Sequence, residues 1–168
     1  MAHLDPQSAE VLVFTFKDGS LLSALAHDLK LKVTKFGLEV EADSVKAELD
    51  AASVELVTAM KDGKENPGAL PGFAPAEIRK NTADDVLEAK KFPTIRFETT
   101  QITDAQVRGR LTLHGQTREV TGERRDAGGK KIAEFRFDQR AFGIKPYSAM
   151  LGALKVKPEV VVRVAFSA

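Results

Sequence analysis

Over most of its length this chain alternates apolar and polar residues with a period of two, and no other feature limits its fold so narrowly. Successive side chains of a strand point to opposite faces, so such alternation marks strands with one buried face. "HDLKLKV" puts His27, Leu29, Leu31 and Val33 on one side. From Phe36 the phase moves by one residue, and Phe36, Leu38, Val40 and Ala42 fall in step, as at a bulge or a turn. Val45, Ala47 and Leu49 continue the pattern. Later, Ile95 and Phe97 alternate with Arg96 and Glu98, and Val107, Leu111 and Leu113 with Arg108, Arg110 and Thr112. Phe135 and Phe137 alternate with Glu134, Arg136 and Asp138. The last segment sets Val156, Val160, Val162, Val164 and Phe166 on one face, with Pro158 near its start, where an edge or bulge would tolerate it. Val11 to Phe16 is nearly continuous in apolar residues, which suits a strand covered on both faces.

The middle breaks the pattern. Glycines and prolines between Gly63 and Pro71 predict a loop. The stretch after it predicts a helical insertion at 75–90, with Pro75 in the first turn. Asn81 and Thr82 suggest an interruption into two short helices, Thr82 and Asp85 forming an imperfect capping box. Pro93 closes the region. Roughly seven or eight strands around one helical insertion predict a mainly all-β domain, an antiparallel barrel or sandwich. The pattern alone leaves both open.

Composition excludes several function classes. With 25 basic and 24 acidic side chains the formal charge is +1, so no nucleic-acid footprint is expected. The chain has no cysteine, which removes disulfides, thiolate metal sites and cysteine nucleophiles. No apolar run approaches the ~20 residues of a membrane span, and "MAHLDPQSAEVLVF" has no basic region before a long apolar stretch. One domain over residues 1–168, cytoplasmic and without stable membrane insertion, is the expectation. Hydrolase elbows, phosphate-binding glycine loops and zinc-protease helices are absent, so no cofactor, metal or catalytic residue is expected.

"GRLTLHGQTREV" joins two alternating segments at Gly115-Gln116, a pair that suits a type II′ hairpin turn. His114 shares the polar parity of Thr112 and Arg110, so it is expected at the rim, facing water; a catalytic base there would need a partner that the sequence does not name. His27 shares the apolar parity of Leu29 and Leu31 and is expected to point inward. It could hydrogen-bond a polar group of a ligand, or be satisfied structurally. The pairs Lys90-Lys91, Arg124-Arg125 and Lys130-Lys131 read as solvated turns and edges.

The same stretch resembles the Gly-x-Leu-Thr-(Leu/Ile)-x-Gly-x-Thr-x-x-Val block of the YceI-like, polyisoprenoid-binding family. "AHDLKLKVTKF" is similar to the Gly-His-Asp-Leu segment of a divergent branch, with Ala26 in the glycine position. Leu49 to Ser53 resembles the aliphatic-Asp-x-Ala-Ser block, and Phe92, Pro93, Ile95 and Phe97 the aromatic-Pro-x-Ile-x-Phe block. Arg140, Phe142, Gly143 and Ile144 match Arg-x-Phe-Gly-Ile. The early His-Ser motif is missing, and residues 58–89 lack Arg-Asp-x-His-Leu, which bears on the ligand more than on the fold.

The resemblance implies an extended, lipocalin-like antiparallel β-barrel that binds an isoprenoid-like or other long-chain lipid without catalysis, for storage, carriage or a stress-related role. The family often pairs, so a homodimer is among the expectations. Expected ligand contacts are His27, Leu29, Leu31, Phe97, Leu111, Leu113, Phe135 and Phe137, joined by Arg140 and Phe142 of the matched block. Arg140 could meet a headgroup or bind carbonyls or carboxylates at a strand end. Periodicity by itself fits a filled core equally well. Two other readings stand beside the carrier: an enzyme acting on a hydrophobic substrate with His27 as acid-base group, and a filled barrel used as an interaction module.

Overall fold

The computed structural model describes residues 1–18, 27–149 and 154–167. Its strands are β1 (Ala2–Leu4), β2 (Ala9–Lys17), β3 (Asp28–Val33), β4 (Phe36–Val40), β5 (Val45–Asp50), β6 (Val54–Lys61), β7 (Lys64–Glu65), β8 (Thr94–Ile102), β9 (Gln106–Leu113), β10 (Gln116–Ala127), β11 (Lys130–Asp138), β12 (Ser148–Ala149) and β13 (Leu154–Ser167). They form one antiparallel sheet in the order β1-β4-β5-β8-β9-β10-β11-β13-β2-β3-β6-β7, with β12 paired to β13. The sheet curls around an apolar interior as a lipocalin-like barrel, the one of the two architectures left open by the alternation that the resemblance implies. Backbone bonds from Thr34 N to Ser53 O (2.8 Å) and from Asp50 N to Lys35 O (3.0 Å) tie β3–β4 to β5–β6 at one end.

The predicted phase change is a turn: β3 stops at Val33 and β4 starts at Phe36. Pro158 lies where the β13–β2 register shifts between Val156 and Val160, so its missing N–H falls in a break of the ladder. The β6 strand is not among the predicted ones. A bulge moves its pairing with β3 between Lys30 and Leu31, so Leu56 faces Leu31 and Ala59 faces Leu29. One extra residue in the middle destroys the period-two signal.

The helical insertion is α1 (Ala74–Asn81), with Pro75 in its first turn, followed directly by a π-helical turn at Thr82–Val86. The predicted interruption is therefore a change of helical winding. Thr82 keeps helical angles, φ −63° and ψ −48°, and its carbonyl accepts from Leu87 N at 2.9 Å. Glu88 ends the turn with φ +47°, the left-handed position that more often takes glycine. Ile78 and Leu87 pack on the cluster Val11, Leu31, Val33 and Val54; Val86 and Leu87 pack on a second, Leu113, Phe142 and Ile144. Leu87 thus touches both clusters, and the insertion is part of the core. Among the described residues no helix is long and apolar enough to cross a membrane.

Candidate functional site

The inner face of the sheet encloses a cavity of about 360 Å³. Its wall follows strand parity: Val11 and Val13 of β2, Leu29, Leu31 and Val33 of β3, and Val160, Val162 and Val164 of β13 contribute alternate residues. Ladder partners share a face, and the register holds these residues in rows, Phe135–Val162–Val13–Leu31 being one. The insertion adds Ile78, Asn81, Thr82, Val86 and Leu87.

Of the residues singled out by sequence, Leu29, Leu31, Phe97, Leu111, Leu113, Phe135 and Phe137 lie together on this wall. Phe142 lies behind it, 1% exposed, with its ring edge-on to Phe137 at 5.4 Å between centroids. Arg140 is on the outside, and its guanidinium forks onto Asp138: Nε donates to both carboxylate oxygens at 3.1 Å and Nη2 to Oδ2 at 2.7 Å. That hydrogen bond holds the Asp138 carboxyl below the usual carboxylate range, helped by the Arg140 backbone N–H. The Asp138 side chain also caps the 3₁₀ turn Gln139–Phe142. Of the two roles weighed for Arg140, the geometry is that of carboxylate binding at a strand end. His27 is half-buried just before β3 and is not on the wall. The neighbouring Asp28 carboxylate accepts from Lys17 N at 2.8 Å.

Two inward glycines decide how wide the interior is. A Cβ on Gly109 would stand 2.5 Å from Phe97 Cζ and 2.6 Å from the Glu98 carbonyl oxygen. One on Gly122 would stand 2.7 Å from the Phe135 ring and 2.8 Å from the Glu134 carbonyl oxygen. Each phenylalanine therefore lies over a bare stretch of backbone on the adjacent strand. The two rings meet edge-to-face at 5.3 Å across β9 and β10. Large on one strand is matched by nothing on the next.

His114 differs from its expected place. The β9–β10 hairpin pairs Leu113 with Gln116, so the two turn residues are His114 and Gly115, with φ +54° and +74°. Positive φ at both is the type I′ pattern, not the type II′ turn expected at Gly115-Gln116. Leaving strand geometry, the imidazole turns under the sheet instead of facing water, and its side chain is 13% exposed. Nε2 lies 2.5 Å from Glu88 Oε2 and Nδ1 3.1 Å from Phe142 O, while Phe92 packs on the ring at 4.6 Å between centroids. The residue ties the hairpin to the end of the helical insertion and to the Gln139–Phe142 turn.

Replacing His114 with alanine removes both bonds and leaves a buried carbonyl unmet, so stability should fall by about 2 kcal/mol. His114→Gly should lose less, because glycine accepts positive φ without strain. Urea unfolding of both variants checks this; equal losses would mean that the left-handed backbone carries no strain.

Sequence reasoning missed Arg124 and Lys131, which also line the cavity. Each belongs to a pair read as a solvated edge. Counting by two from Val120 through Gly122, or back from Phe135 through Ala133, would have placed both inside.

A family model described as a YceI-like domain matches residues 3–168. Among solved structures, BcnA of Burkholderia cenocepacia has a TM-score of 0.64 at 18% identity, covering 95% of this chain and 96% of its own. A polyisoprenoid binding domain from Saccharophagus degradans, implicated in plant cell wall breakdown, has a TM-score of 0.60 at 10% identity, covering 100% and 99%. At such identities the likeness is one of fold. No curated protein matches the chain.

Proposed function

The chain belongs to the family of YceI-like domains, and from that premise we propose that it binds an amphiphilic lipid in the barrel without turning it over. The observation that carries this reading is the cavity itself: a mainly apolar wall around about 360 Å³, where a filled core would leave none. The likeness to a domain named for polyisoprenoid binding supports the ligand class. Leu29, Leu31, Phe97, Leu111, Leu113, Phe135 and Phe137 are the proposed contacts.

Volume limits the ligand. At about 30 Å³ per small group the cavity takes on the order of a dozen carbons. A short chain fits whole, and a long polyprenyl chain would leave most of its length outside. At about 0.8 kcal/mol per buried methylene, a dozen give roughly 10 kcal/mol gross, and association removes at least ~4. The remainder, at most about 6 kcal/mol, corresponds to a dissociation constant of about 40 μM or weaker, so tighter binding needs a polar headgroup contact.

Gentle organic extraction of the purified protein, followed by mass spectrometry against a mock purification, tests the reading. A stoichiometric amphiphile is the expected result. An empty extract, together with no stabilisation of the protein by added medium-chain lipids, would overturn it.

A further inference from the structure

The β10–β11 hairpin carries two cations onto the cavity wall. Arg124 pairs with Ala133 across this hairpin, and Lys131 pairs with Phe166 on β13; Ala133 and Phe166 themselves line the cavity. Both cations therefore stand on the inner face, whereas the neighbouring Arg125 takes the opposite parity and meets Glu134 at 3.6 Å. Glu41 and Ala42, after β4, also line the cavity. Lys131 is exposed and Arg124 half-buried, so the apolar cavity reaches solvent here.

These two cations have little to hold. Arg124 Nη1 donates to Thr103 O at 3.0 Å, which leaves most of its fork uncommitted. Among the described residues neither Arg124 nor Lys131 has a carboxylate within 4.0 Å. Asp126 faces Lys131 in register and so shares its face, beyond the residues that line the cavity and with no ion pair to Lys131 within 4.0 Å. Elsewhere on the wall two amides are engaged: Asn81 Nδ2 donates to Tyr147 Oη at 3.0 Å, and Gln139 Nε2 to Lys157 O at 3.1 Å.

We propose that the rim formed by Arg124 and Lys131 binds the anionic headgroup of the lipid, a carboxylate or a phosphate ester, whose chain occupies the cavity. This rests on the lipid-binding reading and names its ligand class. A guanidinium offers paired N–H donors that match either oxyanion, and such charge-assisted bonds are about twice as strong as neutral ones. Beside an apolar wall they are also less screened by water. Asp126, in register with Lys131, opposes the same anion and so gives the site a built-in counter-test.

Calorimetric titration with dodecanoate, dodecyl phosphate, dodecanol and inorganic phosphate, each lipid below its micelle concentration, tests it. The two anionic lipids should bind about tenfold tighter than the alcohol, a difference of about 1.4 kcal/mol. Arg124→Gln and Lys131→Gln should each bring the anionic lipids toward the alcohol; Asp126→Asn should strengthen the anionic lipids. Lys131 is exposed, so its variant tests the site even if Arg124→Gln folds poorly. Equal affinity for dodecanoate and dodecanol would overturn the headgroup site and leave the lipid-binding reading standing. Inorganic phosphate binding as tightly as dodecyl phosphate would mean that the chain contributes nothing, and overturns it too. No binding of any chain would remove both.

Discussion

Gly109→Ala should destabilise the protein by about 3 kcal/mol, a typical overpacking cost, while Gly37→Ala should be neutral or slightly stabilising. The two glycines share ordinary strand backbone, since neither has a positive φ. On backbone entropy alone, both changes would favour the folded state. The difference is space: nothing lies within 4 Å of a Cβ on Gly37, whereas one on Gly109 meets the Phe97 ring at 2.5 Å and the Glu98 carbonyl oxygen at 2.6 Å. Phe97 could swing aside into the cavity, but the carbonyl oxygen cannot leave without disturbing the β8–β9 ladder. Adding Phe97→Leu should therefore recover part of the loss and not all of it, a measurable coupling between neighbours. In thermal unfolding the single variant should melt about 6–12 °C lower, given about 2–4 °C per kcal/mol at this chain length. An unchanged melting temperature would show that the ring is not held over Gly109.

Those glycines also show how far the sequence can be read. Alternation alone placed Leu29, Leu31, Phe97, Leu111, Leu113, Phe135 and Phe137 on inner parity, because a strand with one face in an apolar interior has no other arrangement. It could not say whether that interior is full. That depends on Gly109 and Gly122, whose missing side chains let two rings lie flat, and in sequence they resemble turn residues. Arg124 and Lys131 obey the same parity, yet their charge pointed outward. Parity was the stronger guide, because the cavity meets solvent there and a cation on the inner face is not cut off from water. His114 failed in the opposite way: parity ends where the turn begins, and left-handed backbone at His114 redirected its ring toward Glu88 and Phe142. The β6 strand was lost to a bulge, and β1 has only three residues, Ala2–Leu4, to show a period. Arg140 and Phe142 were chosen from the motif match, and the motif is served by local structure: the Asp138 fork and a buried ring.

Phe135→Ala should lengthen the lipid that the barrel prefers. The Phe135 ring is 7% exposed, lies over Gly122 and meets Phe97 in mid-wall, so its removal opens space on the order of a benzene-sized void, ~150 Å³. At about 30 Å³ per carbon-sized group that admits about five more methylenes, moving the best chain from about a dozen carbons toward about seventeen. The empty variant should lose about 3 kcal/mol, the lower end for a phenylalanine truncation, because one side of the ring already faces the cavity. A fitting longer chain should return part of that loss, since a ligand bound only by the folded state raises apparent stability. Competition binding across a series of chain lengths separates the effects, with Phe135→Leu expected between the two. If every variant kept the same best length, the tail would not reach Phe135, and the dozen-carbon limit set by the cavity volume would be wrong.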